Sequence, residues 1–432
     1  MADVRPFRGF RYTDPDLAAV VTPPYDVISG VQQADFYARN PHNIIRLEFG
    51  QTRPDDDHLE NVYSRAAVTF AQWRLEGTLR QDTQPSFYVY KQDFTIAGES
   101  HSRTSLLAQV RLEPWDAGII LPHEKTLAKP KDDRLKLLRA CAANLSPLMS
   151  LFDDPDQSLA PVLQGATASE PLEDFVTDDG ERHRLWAITD VSTSAKIAEF
   201  FHDKQLFLAD GHHRYETGLA YREEVRELHR GLLPDEAANF TLMALVATND
   251  PGLVVLPTHR LVSGVAEAVI AALPTKLADM WHVEMLAHPS SAAELTAQLT
   301  AAREQGTSAV IVTQENTLLL TSTASVATRM QQTGQPEAWQ KLDVAIAQEL
   351  IIGDALSITA EIITTGDQLR YVRDSEDALQ AVRDGSAQVA ILLNPTQPGQ
   401  VRDVAQAGGR MPQKSTYFYP KLITGAVINP VW

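Results

Sequence analysis

The stretch Lys204-Gln205-Leu206-Phe207-Leu208-Ala209-Asp210-Gly211-His212-His213-Arg214-Tyr215 contains the strongest structural signal in the sequence. Its short apolar run predicts a β-strand, and the residues after Gly211 predict a helix that continues to about Arg230. A strand that ends in Asp-Gly and opens a helix leaves backbone N–H groups exposed at the helix start. Those groups and the helix dipole favour an anion such as phosphate. The stretch therefore predicts an α/β fold with an anion site.

Three side chains that can be cationic, His212, His213 and Arg214, crowd the first turn of this helix. Positive charge there opposes the helix dipole, so it costs stability unless a negative ligand is bound. The simpler interpretation is a histidine-rich helix start paired with Asp210 and Glu216. A zinc site is disfavoured because adjacent histidines point to different helix faces and no His-x-x-x-His partner occurs.

The composition narrows the class of protein. The chain has 432 residues, 44% of them hydrophobic and 22% charged, which is typical of a soluble globular protein of two or three domains. The formal charge of −18 disfavours a nucleic-acid binder, although a local basic pocket for a small phosphorylated ligand stays compatible with it. No apolar run approaches the roughly 18 residues that span a bilayer, and the N-terminus has no apolar signal core. We therefore expect a cytoplasmic protein with a small-molecule substrate and with neither nucleic acid nor membrane as a partner; the oligomeric state stays open.

Absent motifs add further exclusions. The single cysteine, Cys141, excludes a disulfide within the chain and a cysteine-cluster zinc site, and its helical-looking surroundings predict a buried small hydrophobe. No Walker-type loop, Rossmann glycine fingerprint or Gly-x-Ser-x-Gly elbow occurs, which disfavours the commonest nucleotide-binding and hydrolase folds.

A second motif is Leu121-Pro122-His123-Glu124-Lys125-Thr126, which follows the apolar pair Ile119-Ile120. A carboxylate between histidine and lysine at a strand end suits a general base or a metal ligand. The simpler interpretation is a solvated loop. Basic residues gather in and after this motif: Lys125, Lys129, Lys131 and Arg134.

A third motif lies near the C-terminus, in the segment from Arg410 to Lys421. Here Lys414, Ser415 and Thr416 supply one cation and two hydroxyls, a set suited to a carboxylate or a phosphate. The aromatic residues after them are equally compatible with core packing.

Two weaker features remain. In Thr22-Pro23-Pro24-Tyr25-Asp26 a rigid turn would fix Tyr25 and Asp26, and Pro257-Thr258-His259-Arg260 offers another His-Arg pair after a strand.

Periodicity outlines the rest of the chain. It predicts strands at 19–28 and 43–49, an antiparallel pair at 86–94 and 102–110, and a hairpin that turns at 178–180. Beyond about residue 263 helices and strands alternate. We therefore predict a phosphate-binding region over 1–262 and a smaller α/β domain over 263–432 that contributes the Lys-Ser-Thr motif.

The strand–Asp-Gly-His-His-Arg–helix unit resembles the phosphate-binding signature of the ParB/sulfiredoxin superfamily. Three motifs in order, Pro122-His123-Glu124, Asp210–Arg214 and Pro412–Thr416, are similar to those of the free-serine kinases within it. Across nearly its whole length the chain also resembles a bacterial and archaeal family labelled as a domain of unknown function. These resemblances imply a ParB/sulfiredoxin-like core. They also imply a kinase of amino-acid biosynthesis that makes O-phospho-L-serine from free L-serine, with ADP, ATP or pyrophosphate as donor.

The kinase resemblance also implies roles for individual residues. Glu124 would be the catalytic base, Asp210 would bind Mg²⁺ or assist as a base, and His212 and His213 would complete the catalytic set. The donor phosphates would contact Gly211, His212, His213 and Arg214, with Lys125, Lys129 and Arg134 as further candidates. The substrate would contact Lys414, Ser415, Thr416, His123, Tyr25 and Asp26.

The chain departs from its relatives at two points. Position 212 is histidine where sulfiredoxin has its reactive cysteine, so sulfiredoxin chemistry is not expected. The stretch between Glu124 and Asp210 is longer than in archaeal serine kinases, which leaves the donor open. Two alternatives also stay open: a nucleotide-binding switch of the ParB type, and a phosphate-ester hydrolase resembling phosphoserine phosphatase, with water as acceptor. Glu124 in its Pro-His-Glu setting favours an enzyme over the switch.

Overall fold

The computed structural model describes residues 1–126, 128–287, 290–365 and 368–432. The chain forms two compact units. Unit 1 comprises residues 1–122, 126–254 and 420–432, and unit 2 comprises residues 123–125 and 255–419. This division differs from the predicted boundary at 262/263. The reason is that strand His259–Val262 pairs with strands Leu369–Val372 and Val389–Leu393, all within unit 2.

In the described part of unit 1, nine strands form one mixed sheet. Eight of them follow in spatial order: Ile120–Pro122, Leu206–Asp210, Leu148–Phe152, Phe240–Ala247, Glu99–Arg111, Phe87–Ile96, Arg182–Ile188 and Glu173–Val176; Val4–Arg5 pairs with Glu99–Arg111. Two pairs are parallel, Ile120–Pro122 with Leu206–Asp210 and Leu148–Phe152 with Phe240–Ala247. The hairpin and the long antiparallel pair predicted from the sequence are confirmed.

Helices and smaller strand pairs complete unit 1. The α-helices are Leu17–Val20, Gly30–Arg39, Ile45–Glu48, Val62–Glu76, Ala128–Cys141, Ala160–Ala166, Val191–His202 and His212–Leu228. Short 3₁₀ turns span Tyr25–Val27, Trp115–Ala117 and Ala237–Asn239. The small pairs are Phe10–Tyr12 with Leu79–Gln81, and Ala143–Asn144 with Asn429–Pro430.

Two strand predictions in unit 1 are wrong. The segment 19–28 contains the end of a helix and a 3₁₀ turn, and 43–49 contains the helical turn Ile45–Glu48. A short apolar run does not distinguish a buried strand from a buried helical turn. In the segment 43–49 the Asn43 side chain favours the helical turn, because its Oδ1 accepts the Ile45 N–H at 2.9 Å at the start of the turn.

Unit 2 is built on a six-stranded antiparallel sheet in its described residues. In spatial order the strands are Trp281–Met285, Thr317–Ser322, Ser308–Val312, Val389–Leu393, His259–Val262 and Leu369–Val372. Two short strands, Val254–Leu256 and Tyr417–Tyr419, lie outside it. The helical segments are Glu267–Ala271, Leu273–Ala278, Ala292–Ala302, Arg303–Gln305, Ala324–Gln331, Glu337–Gln340, Asp343–Ile346, the π-helical Ala347–Ala355, Ala360–Thr365, Ser375–Arg383 and Pro398–Gln406.

One face of the unit 2 sheet forms an apolar core. Leu261, Val310 and Leu392 pack there with helices Ala292–Ala302 and Ser375–Arg383. Because side chains alternate along a strand, the neighbours of these residues point to the other face. The mixed α/β class is confirmed by both units. Among the described helices, none has the length and hydropathy that a membrane crossing requires.

Candidate functional site

The turn at Gly211 connects strand Leu206–Asp210 to helix His212–Leu228 in unit 1. Gly211 has φ +93°, and a Cβ there would lie 2.6 Å from Cδ2 of Leu148. Both the backbone angle and the space therefore require glycine. The turn places Asp210 at the end of the strand, directly before the first turn of the helix.

Asp210 is held by two cations. Its Oδ1 accepts from Lys421 Nζ at 2.5 Å, and its Oδ2 accepts from Arg214 Nη2 at 3.2 Å. Burial alone would raise the pKa of Asp210, but the charges of Lys421 and Arg214 outweigh burial and lower that pKa well below its usual range. In these contacts one carboxylate meets two cationic side chains directly before the helix start.

Arg214 also belongs to a wider polar network. Its Nη1 donates to Ser146 Oγ at 2.8 Å and to the Pro147 carbonyl at 2.9 Å. Ser146 Oγ in turn donates to Glu48 Oε1 at 3.1 Å. Glu48 and Arg214 line a cavity of about 50 Å³. These contacts fix the orientation of the Arg214 guanidinium.

Arg134 lies at the other end of this network. Its side chain is buried, pairs with Asp133 at 2.6 Å and Glu48 at 3.5 Å, and lies over the Tyr25 ring at 4.0 Å. Burial raises the pKa of Tyr25, although the charges of Arg214 and Arg134 act against it. The sequence predicted Arg134 as a phosphate ligand. In the structure its guanidinium contacts Asp133, Glu48 and the Tyr25 ring.

The remaining unit 1 candidates differ in exposure. His212 is buried, His213 is half-buried and Asp26 is exposed. Glu216, which the simpler interpretation paired with the histidines, accepts from Lys131 Nζ at 2.8 Å and from Thr126 Oγ1 at 2.7 Å. Its carboxylate therefore stabilises the segment that follows the Pro-His-Glu motif.

In unit 2 the second and third sequence motifs meet. Glu124 Oε1 accepts the backbone N–H of Lys414 at 3.0 Å, and His123 Nε2 lies 3.2 Å from Thr416 Oγ1. The His123 carbonyl accepts the N–H of Met411 at 2.7 Å. The backbone of Lys414 has φ +55°, so its amide is presented by a left-handed turn. These contacts hold the Glu124 carboxylate in one orientation.

The side chains of the third motif have different surroundings. Lys414 and Lys125 are exposed, and Thr416 is half-buried. Ser415 is buried, and its Oγ donates to the Pro412 carbonyl at 2.6 Å. The Ser415 hydroxyl therefore stabilises its own loop. Lys129 was also predicted as a phosphate ligand, and its side chain lies outside the described residues.

The described residues do not fit a Mg²⁺ site at Asp210. Both of its carboxylate oxygens are engaged by Lys421 and Arg214, and Mg²⁺ would compete with both cations for them. Within the described chain, no group of three or more His, Cys, Asp or Glu side chains is arranged to hold a metal ion.

Sequence reasoning assigned no role to three residues of this site. Lys421 is the last residue of the C-terminal segment Arg410–Lys421 but received no role. Glu48 and Ser146 had no motif around them. Glu48 also lay in a segment mistaken for a strand, in which its side chain had no predicted partner.

The family model for Protein of unknown function (DUF1015) matches residues 4–345. The chain belongs to this family. The comparison of this DUF1015 chain with curated proteins gives no match.

Solved structures show weak similarity to the DUF1015 chain. A free serine kinase in complex with AMP has 12% identity, covers 73% of this chain and 86% of its own, and gives a TM-score of 0.34. A conserved hypothetical protein from Pyrococcus furiosus has 11% identity, 74% and 92% coverage, and a TM-score of 0.34. SbnI from Staphylococcus aureus, truncated at its C-terminus, has 10% identity, 74% and 88% coverage, and a TM-score of 0.33.

Proposed function

We propose that the chain is a phosphotransferase that phosphorylates the hydroxyl of a small amino acid, free L-serine, to give O-phospho-L-serine. The donor is ADP, ATP or pyrophosphate. The observation behind this proposal is the convergence of Lys421 and Arg214 on Asp210 at the start of the helix that Gly211 opens. Phosphoryl transfer depends mainly on positioning and charge neutralisation, and this cluster supplies both for a polyphosphate.

The donor phosphates bind at the Gly211 turn. Backbone N–H groups of the first helical turn, together with the dipole, attract the anion. Arg214 and Lys421 add two cations, and the half-buried His213 adds a further donor. The network through Ser146 keeps the Arg214 guanidinium fixed before the ligand arrives.

The acceptor hydroxyl is activated by Glu124. The Lys414 amide fixes the orientation of this carboxylate. The strand that ends at Pro122, directly before His123 and Glu124, is the parallel neighbour of the strand that ends at Asp210. Lys414, with its exposed ammonium group, binds the transferred phosphate or the carboxylate of the amino acid.

The reaction needs no reactant besides serine and the phosphoryl donor. The serine hydroxyl proton passes to Glu124, the serine oxygen forms a bond to the terminal phosphorus, and the bridging P–O bond breaks. The bonding electron pair leaves with AMP, ADP or phosphate, according to the donor.

The test is turnover of the full chain with L-serine and each donor in the presence of Mg²⁺, followed by ³¹P NMR. Formation of O-phospho-L-serine supports the proposal. Phosphate release without phosphoserine would identify the hydrolase instead, and saturable nucleotide binding without turnover would identify the switch. Either outcome contradicts the kinase.

A further inference from the structure

Arg260 is a buried arginine in unit 2. It lies in strand His259–Val262, and only 2% of its surface is exposed. Its Nη1 donates to the Thr258 carbonyl. In the part of the chain that the structure describes, no Asp or Glu lies within ion-pair distance of its guanidinium. An uncompensated buried charge is costly, so the fold retains it against its own stability.

Arg260 does not belong to the apolar core of unit 2. Its neighbour Leu261 packs into that core, so Arg260 points to the other face of the sheet. On that face it lies directly opposite Tyr371 in the strand register, and its guanidinium lies 5.6 Å from the centre of the Tyr371 ring. Burial lowers the pKa of Arg260 to about 10, so the side chain is cationic at neutral pH.

The end of the sheet that holds Arg260 also holds the Lys-Ser-Thr loop. Beyond the strand that contains Tyr371, the guanidinium of Arg373 lies 4.2 Å from the centre of the Tyr417 ring. Beyond strand Val389–Leu393, Thr396 Oγ1 donates to the Ser415 carbonyl at 2.8 Å. Three chain segments therefore converge at this end of unit 2.

Tyr371 connects Arg260 electrostatically to the proposed base. Burial raises the pKa of Tyr371, the charge of Arg260 lowers it, and the charge of Glu124 raises it. Glu124 Oε1 accepts the N–H of Lys414, and the loop that contains Lys414 meets this end of the sheet through Ser415 and Tyr417. An anionic group bound by Arg260 would therefore lie at the same end of unit 2 as the proposed base.

We propose that Arg260 binds the carboxylate of the acceptor amino acid, with the Tyr371 hydroxyl as a second donor. This inference rests on the proposed function. It assigns the acceptor class as free amino acids and excludes serine within a peptide, whose carbonyl has no charge. Lys414 is then left to bind the transferred phosphate. The planar guanidinium, which presents five N–H groups, matches a carboxylate in geometry.

The test compares L-serine with L-serinamide, which keeps the hydroxyl and lacks the carboxylate. Loss of a charged hydrogen-bond pair costs roughly 10- to 100-fold in kcat/KM, so the wild type prefers serine by about that factor. In Arg260→Met the preference falls to near one, mainly through the KM for serine. The matched control is Arg383→Met, an exposed arginine of unit 2 paired with Glu376, which keeps the wild-type preference.

A preference for serine that persists in Arg260→Met would overturn the carboxylate site while leaving the kinase intact. If Arg260→Met does not fold, Arg260→Lys is the test variant. The shorter lysine ammonium cannot reproduce the guanidinium geometry, so the preference for L-serine over L-serinamide falls in this variant too. If the wild type makes no phosphoserine, the kinase fails and the site is tested by thermal shift. O-phospho-L-serine would then stabilise the wild type more than its carboxamide does, and equal shifts in wild type and Arg260→Met would overturn the site.

Discussion

Lys421 Nζ lies 2.5 Å from Oδ1 of Asp210, although 211 positions separate the two residues in the sequence. A second contact holds the same segment, because Gln92 Nε2 donates to the Lys421 carbonyl at 3.1 Å. Residues 420–432 are part of unit 1, where strand Asn429–Pro430 also pairs with Ala143–Asn144. The last residues of the chain therefore supply a cation to the helix start at Gly211, which local sequence patterns did not predict.

Replacing Lys421 by Met tests this cation. Loss of one charged contact to a phosphate weakens pyrophosphate binding by roughly 10- to 100-fold, measured by isothermal titration calorimetry. Lys136→Met is the matched control, because Lys136 is exposed and pairs with Asp132 within its own helix. Equal affinities of Lys421→Met and Lys136→Met for pyrophosphate would show that Lys421 is not part of the donor site.

Replacing Glu124 by Gln tests the base. Glutamine keeps an oxygen that accepts the Lys414 N–H and cannot take the hydroxyl proton, so kcat falls roughly 10²- to 10⁴-fold. Donor affinity stays within about twofold of the wild type. The control is Glu284→Gln, which lies in the edge strand Trp281–Met285 of the unit 2 sheet and keeps the wild-type kcat. Full turnover by the Glu124 variant would show that this carboxylate is not the base.

Replacing Gly211 by Ala tests the turn. An alanine at this position must adopt a positive φ, and its Cβ would lie 2.6 Å from the Leu148 side chain. The substitution therefore lowers the free energy of unfolding by roughly 2–4 kcal/mol, measured by urea denaturation. Gly165→Ala is the contrasting control, since Gly165 lies in helix Ala160–Ala166 with open space around its Cα. That variant gains roughly 0.5–1 kcal/mol. A neutral effect at position 211 would contradict the tight turn.

The Asp210 ion pairs predict a pH dependence. Because the folded state lowers the pKa of Asp210 below its ordinary value of 3.8, the ionised carboxylate stabilises the fold above that value. The contribution is lost as the pH falls through the folded-state pKa. Asp210→Asn is therefore less stable than the wild type by roughly 1–3 kcal/mol from pH 7 to 5, and the difference shrinks below about pH 4.

Urea unfolding of both proteins at several pH values measures this difference. Asp203→Asn, which removes an exposed carboxylate of unit 1, is the control. A difference that stays constant down to pH 3 would rule out the ion pairs as its source.

The thiol of Cys141 is predicted to be unreactive in the native state. It is buried, and burial raises its pKa to about 12, so almost no thiolate forms at pH 8. A thiol reagent such as 5,5′-dithiobis(2-nitrobenzoate) labels the chain only after unfolding in urea. Rapid labelling of the folded chain would contradict the buried position.

Parts of the candidate site were predictable because local chemistry determines them. The Asp-Gly-His-His-Arg motif required a glycine turn between strand and helix, and Gly211 has the positive φ that such a turn needs. The small hydrophobic role of Cys141 followed from its helical surroundings. The segment around Glu48 was misassigned, because its apolar neighbours are equally compatible with a strand and a buried helical turn.

The sequence by itself determined the strand–turn–helix unit at Gly211, the alternation of helices and strands after residue 263, and the residue types available for phosphate chemistry. Only the tertiary structure decided that Lys421 pairs with Asp210, that Arg134 is engaged by Glu48, and that the Lys414 amide, 290 positions away, orients Glu124. Periodicity and turn chemistry act over a few residues, so they determine single elements. Pairs between distant segments depend on which sheet edge and which loop each segment reaches, and that is decided when the whole chain packs.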